Sequence, residues 1–285
     1  MLDTLIQGLL LGGLYALFAL GLSLMFGVMR LTNTAQGDFV VLAAFGAIVL
    51  APLLWMSSLA AAVALLPLAF AAGYTLQRWV LNGTLGRDPL PSLVVTFGLS
   101  IVIQNGLLEL FSADPRSLDS AGFSTRSLAI GELAVGALPL AIFGLALLCT
   151  VALQALFDRT ALGRAFRAVS DDREIAELMG LDANRIYALA TAIAFIVIAL
   201  AGTLQALRTT VAPSDGPLLL LFAFEAVIIG GMGSFWGTFA GAMVLGLAQQ
   251  IGFRLDPGWG LWFGHLVFLA VLVVRPQGLL PRTRG

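Results

Sequence analysis

The sequence predicts an all-α, polytopic membrane helical bundle of eight or nine membrane segments, some short or re-entrant, forming one domain over residues 1–285. Composition is the first observation behind this. Apolar residues make up 59% of the chain and charged residues 11%, and the mean hydropathy is +0.98, whereas soluble domains carry about 25% charged residues. Charge spacing is the second. Uncharged stretches run over 4–29, 39–77, 133–157, 186–207, 226–253 and 257–274, and each can hold a span of about 20 residues.

The first stretch predicts one helix that is retained, because Asp3 replaces the basic start of a cleaved signal and the apolar run is too long for one. The second exceeds one crossing and contains Pro52, so it divides into segments at about 39–53 and 56–77. Pro89 and Pro91 precede another apolar run. Prolines suit the first turn of a helix, so a helix is expected over 92–110. Between Arg208 and Asp256 the chain has to return to the side it left, which predicts a hairpin over 216–253 turning at Gly230-Gly231-Met232-Gly233-Ser234. The segments 39–53 and 218–229 are short enough to be half-helices. Irregular backbone at membrane depth requires cover from protein or a water-filled path.

Arginine-rich loops mark the cytoplasmic side. Residues 158–185 hold Arg159, Arg164, Arg167, Arg173 and Arg185, and the tail adds Arg275, Arg282 and Arg284. Both are expected inside, with the loop of Arg78 and Arg87. The mixed-sign loop 109–132, with Asp114, Arg116, Asp119, Arg126 and Glu132, then falls outside. All 15 basic residues are arginine, a composition bias without mechanistic content. Cys149 stands alone in an apolar run, which excludes an internal disulfide.

Within the inside loop, Asp171 with Glu174 three residues on is expected to cap a helix of about eight residues. Ile175, Leu178 and Met179 would share one face, and Gly180 would supply the left-handed stop. Such a helix either docks into a groove on a soluble partner or lies at the membrane interface. Asn33, Gln36 and Asp38 interrupt the first two apolar runs. They either line a polar path or form an interfacial turn in which Asp38 caps the next helix. Glu225 lies among apolar residues, where a charge at mid-bilayer costs about 2.5–3.5 kcal/mol. A role in the path, a buried pair with an arginine and an interfacial position are all open to it. Gly8 with Gly12, and Gly237 with Gly241, fit close helix contacts. His265 and the five tryptophans have no ligand spacing, so no metal site is expected. Motifs for phosphate-loop nucleotide hydrolysis, zinc proteolysis and serine-elbow chemistry are missing. No catalytic residues are expected.

Five blocks stand out in order: Leu31-Thr32-Asn33-Thr34-Ala35-Gln36-Gly37-Asp38, Gly98-Leu99-Ser100-Ile101-Val102-Ile103-Gln104-Asn105, residues 163–180, the run Ala223 to Ser234, and Arg275-Pro276-Gln277-Gly278-Leu279. Together they resemble the LivH-type permeases of branched-chain amino acid ABC importers, a family with urea and amide relatives. The resemblance runs nearly end to end. It implies a permease subunit of the bacterial inner membrane with no cofactor of its own and no nucleic-acid partner. It works in membrane lipid with a second homologous permease, two cytoplasmic ATPases that hydrolyse ATP, and a periplasmic substrate-binding protein. The expected path residues are Asn33, Gln36, Asp38, Gln104, Asn105 and Glu225. Those expected to couple to the ATPases are Arg164, Arg167, Asp171, Glu174, Leu178 and Gly180. A secondary transporter or channel, with Asp38 and Glu225 as ion sites, is the alternative.

Overall fold

A computed structural model describes residues 1–55, 57–86, 88–119, 122, 126–130 and 133–280. Arg87, Glu132, Arg282 and Arg284, four of the charges that set the expected orientation, lie outside the described residues. Among the described residues eleven α-helices order the chain: α1 Leu2–Met29, α2 Gln36–Leu53, α3 Ser58–Trp79, α4 Leu90–Phe111, α5 Ala137–Arg159, α6 Ala161–Asp171, α7 Arg173–Leu178, α8 Ala183–Arg208, α9 Gly216–Gly230, α10 Phe235–Leu255 and α11 Gly260–Val274. Among the described residues seven helices are long and apolar enough to cross a membrane, and α11 is a shorter apolar helix.

A helix that is apolar all round belongs inside a bundle, and α1 is the axis of this one, with 83% of its apolar window buried against 17% for α3 and α4. Its contact with α10 depends on glycine. A side chain on Gly12 would meet the Ala242 carbonyl at 2.7 Å, and one on Gly246 would meet the Gly8 carbonyl at 2.4 Å. The small residues expected to let backbones approach do so within the chain.

The divided stretch after residue 38 resolves as expected. Pro52 sits in the last turn of α2, and Ser57 starts α3 by accepting the Ala60 amide at 3.3 Å. Helix α4 starts two residues before the expected position, with Pro91 in its first turn. The 216–253 hairpin turns as expected, and Ser234 caps α10 by accepting the Gly237 amide at 3.1 Å.

The uncharged stretch 133–157 holds the expected span, α5, which begins at Ala137 after β2 (Leu133–Gly136), a strand antiparallel to β1 (Ser127–Ile130). Absence of charge marks a segment as apolar without choosing helix over strand. One expectation is corrected: the inside loop is two helices, not one. Asp171 ends α6, and the cap of α7 is Asp172, whose extended backbone (φ −150°, ψ 110°) lets its carboxylate accept the Ile175 amide at 3.0 Å. Helix α7 has six residues instead of about eight. Gly180 adopts the expected left-handed conformation, at φ +87°.

Candidate functional site

The polar centre forms where two helices start inside the bundle. Gln36 lies level with the middle of α1: its Nε2 donates to the Phe18 carbonyl at 3.4 Å, and a side chain on Gly21 would meet that nitrogen. Phe39, one turn on, packs at a tilt against Phe195 midway along α8 with ring centres 4.7 Å apart. Helix α2 therefore starts at mid-depth and runs toward the 127–136 hairpin, passing the end of α4 where Phe45 meets Phe111 at 4.9 Å. Helix α9 starts against it and runs the other way, ending at a turn where Gly233 packs on Gly27 near the end of α1.

The first turns of α2 and α9 touch backbone to backbone. A side chain on Gly37 would lie 1.9 Å from the Gly216 carbonyl oxygen, and one on Gly216 would lie 1.9 Å from Asp38 Oδ1. Neither helix start carries a side-chain cap. Asn33 Oδ1 instead accepts the Ala35 amide at 3.0 Å, and Asp215 folds back to accept the Ala212 amide at 2.8 Å. Asn33, Gln36 and Asp38 are at most 1% exposed. Asn33 Nδ2, Gln36 Oε1 and Asp38 Oδ1 have no hydrogen-bond partner among the described residues. Buried polar groups are nearly always paired, so three orphans within six residues require explanation.

Of the other expected path residues, Gln104 is brought to this centre. It stands with Ser100 beside the Asp38 carboxylate, and its Nε2 donates to Ser100 Oγ at 3.1 Å. Asn105 is exposed and donates to its own helix, to the Ile101 carbonyl at 2.8 Å. Glu225 is elsewhere on α9 and 1% exposed, with Oε1 2.5 Å from His265 Nδ1 on α11. Of the three readings left open for Glu225, the buried pair comes nearest to the structure, with a histidine in place of the arginine. A signal for it existed only in His265 being polar within an apolar run. Also unforeseen is the bond from Tyr15 to Gln249 Oε1 at 2.5 Å, which joins α1 to α10.

A separate surface lies at the opposite ends of the helices from the 127–136 hairpin. Phe166, Val169 and Ala176 anchor α6 and α7, at most 3% exposed. Arg167 Nη1 donates to the Phe157 carbonyl at the end of α5, and Ser170 donates to the Gly27 carbonyl of α1 at 2.9 Å. Arg173 bonds Glu177 at 2.9 Å and Asn184, at the start of α8, at 3.4 Å. The α6–α7 pair is therefore wired to three long helices. On its outer side Arg164, Asp171, Glu174 and Gly180 are exposed. Ile175, Leu178 and Met179 are 60%, 87% and 80% exposed, so the expected apolar face exists and none of the described residues covers it.

The terminal motif has a structural task. The Leu279 and Leu280 amides donate to the Ile229 and Gly230 carbonyls at 2.8 and 2.9 Å, closing the end of α9. Gly278, at φ +82°, packs on Gly231 too closely for any side chain.

A bundle of apolar helices, two of them starting at mid-depth around buried polar side chains, defines a multi-pass membrane protein of the transport class. Such broken helices recur at the binding centres of transporters. The chain belongs to the family described as branched-chain amino acid transport system permease component, whose pattern matches residues 4–275. It is 29% identical to the high-affinity branched-chain amino acid transport system permease protein BraD of Pseudomonas aeruginosa, over 99% of this chain and 96% of that one. It is 27% identical to the corresponding permease protein LivH of Escherichia coli K12, over the same shares. Among solved structures, PsaBC from Streptococcus pneumoniae, in complex with Fab, matches with a TM-score of 0.51 at 12% identity. That match covers 96% of this chain and 92% of that one, and it shows a shared fold.

Proposed function

We propose that this permease forms part of the translocation path of an ATP-driven importer of branched-chain or related amino acids in a bacterial inner membrane. It works beside a second homologous permease, with two cytoplasmic ATPases and a periplasmic binding protein, and itself performs no covalent chemistry. The observation that carries this reading is the meeting of the α2 and α9 starts around Asp38, with three buried polar atoms left unpaired. A centre built for structure alone would pair them.

The surface at α6–α7 supports the coupling half of the reading. A short helix with an uncovered apolar face is suited to a groove on a soluble partner. Its bonds to the ends of α1, α5 and α8 give a displacement of that partner a route into the bundle. Closure of the ATPases would push α7, shift these helix ends, and part α2 from α9.

The test is uptake of radiolabelled leucine into proteoliposomes holding the complete complex. Wild type imports leucine only with ATP and binding protein. An Ile175→Ser, Leu178→Ser, Met179→Ser variant inserts and folds but loses its ATPases and its uptake. Uptake driven by an ion gradient without ATP would overturn the reading in favour of a secondary transporter.

A further inference from the structure

Side-chain hydrogen bonds divide the bundle along a line that its apolar packing does not show. Gln77, fully buried near the end of α3, uses both ends of its amide. Its Oε1 accepts from the Thr191 hydroxyl of α8 at 2.7 Å, and its Nε2 donates to Asn82 Oδ1 at 3.0 Å. Asn82 Nδ2 in turn donates to the Asn184 carbonyl at 3.1 Å, and Arg173 of α7 donates to the Asn184 side chain at 3.4 Å. One turn deeper, a side chain on Gly73 would meet the Phe195 ring at 2.7 Å and the Thr191 carbonyl at 2.9 Å, so α3 lies directly on α8. Phe195 carries the contact on to Phe39, and a side chain on Gly202 would lie 2.2 Å from the Val40 carbonyl oxygen. Helices α7, α3 and α8 are thus tied together, and α2 is seated on α8.

Helices α1, α9, α10 and α11 form a second set. Tyr15 bonds Gln249, Thr238 bonds Ser23 at 2.8 Å, and Glu225 bonds His265. A side chain on Gly241 would meet the Ala226 carbonyl at 2.2 Å, so α10 lies directly on α9. Among the described residues a single side-chain hydrogen bond joins the two sets, from Gln36 to the Phe18 carbonyl at 3.4 Å, longer than the usual range. Inside a bilayer no water replaces a broken hydrogen bond, whereas packed apolar faces can slide. The seam therefore runs between the two sets and through the Asp38 centre. It leaves the bundle between α6 and α7. Ser170 of α6 holds Gly27 of α1, Arg173 of α7 holds Asn184 of α8, and the extended Asp172 stands between them.

We infer that Gln77 and Arg173 are positioning residues for transport: they bind α7, α3 and α8 into one body, so that a displacement of α7 carries α2 away from α9. Helix α9 stays with α1, α10 and α11. The inference rests on the proposed importer function and names which helices move in it and which side chains make them move together.

Two measurements on the complete complex test this. The first leaves Gln77 and Arg173 intact. In a cysteine-free background, spin labels are attached at the exposed positions of one pair, Trp79→Cys with Arg185→Cys, and of a second, Trp79→Cys with Trp236→Cys. Between the ATP-free and the vanadate-trapped complex, the 79–185 distance is expected to hold within about 1 Å while the 79–236 distance changes by at least about 2 Å. The second measurement is leucine imported per ATP hydrolysed in proteoliposomes. Gln77→Leu and Arg173→Ala are each expected to lower this ratio at least about fivefold, with ATP hydrolysis stimulated by binding protein kept within about twofold. Thr191→Ser, which keeps the hydroxyl, should leave the ratio within about twofold of wild type. A loss of folded complex would lower hydrolysis and uptake together and leave the ratio unchanged. Should Gln77→Leu fail to assemble, the two distances decide. A 79–185 change as large as the 79–236 change would overturn the inference, as would an unchanged ratio in either folded variant. Wild type separates this from the parent reading: ATP-driven leucine uptake with both distances fixed sinks the inference alone, and no ATP-driven uptake at all sinks both.

Discussion

Glu225 Oε1 lies 2.5 Å from His265 Nδ1, a hydrogen bond that ties the middle of α9 to α11. The carboxylate side chain is 2% exposed and the imidazole side chain 34% exposed, so the pair spans from the bundle interior to its edge. Inside a membrane an acidic side chain without such a partner would be strongly disfavoured. This contact explains how Glu225 is tolerated and separates it from the Asp38 centre. It also gives the pair a task in holding α11 in place.

Removing one member should therefore cost more than removing both. His265→Leu is expected to destabilise the protein by about 1–3 kcal/mol, the cost of leaving a buried acceptor unsatisfied. The Glu225→Leu, His265→Leu double variant is expected to recover part of that loss. Melting temperatures of the purified protein in detergent, arranged as a double-mutant cycle, give the coupling. Additive effects would mean that the contact contributes nothing.

Gly37→Ala is expected to be among the most damaging single substitutions. Its methyl would fall 1.9 Å from the Gly216 carbonyl oxygen and 2.7 Å from the Leu220 amide nitrogen, both backbone atoms that cannot rotate away. Overpacking of this kind costs about 1–3 kcal/mol or more. Monodisperse yield in size-exclusion chromatography should fall sharply, whereas Gly98→Ala, where the added carbon meets nothing within 4 Å, should leave it unchanged.

The cap of α7 distinguishes two neighbouring acids. Asp172→Ala removes the acceptor of the Ile175 amide and should cost about 1 kcal/mol. Asp171→Ala, at the exposed end of α6, should change stability by less than about 0.5 kcal/mol. Local hydrogen exchange across residues 173–180 reads the difference, since only the first substitution should speed it.

Gly278→Ala is expected to loosen the end of α9. The position is at φ +82°, and an added carbon would approach Gly231 Cα at 2.5 Å. Backbone strain of this sort costs about 1–3 kcal/mol, and it would release the bonds from Leu279 and Leu280 to the last α9 carbonyls. Faster exchange of the Leu279 and Leu280 amides, with α1 unaffected, is the expected outcome.

Much of the fold was legible because charge is so sparse. Gaps between charged residues mark the long helices, and Pro52, Pro91 and the glycines of 230–234 fall at the breaks they predict. The 127–136 hairpin was not legible, since four apolar residues in a row fit a strand as well as the edge of a helix. The choice of Asp172 over Asp171 turns on which residue is extended, and adjacent acids do not disclose that. At the polar centre, Asn33, Gln36 and Asp38 stood out as polar residues between apolar runs. What no local pattern carried was the partner surface: Gly216 lies far along the chain, and only the packing of α9 on α2 brings it to Asp38. The Glu225–His265 contact is hidden for the same reason.

Opening of the α2–α9 junction during transport can be read from the reactivity of residue 33. Cys149 is the one native cysteine, so Cys149→Ser provides a background in which Asn33→Cys is the sole thiol of this chain. With native cysteines likewise removed from the partner subunits, the complete complex is exposed to a small, membrane-impermeant thiol reagent, with and without ATP and binding protein. Residue 33 is expected to resist labelling at rest, as its burial requires, and to be labelled during ATP turnover. Protection that persists through turnover in a complex that still imports leucine would contradict it.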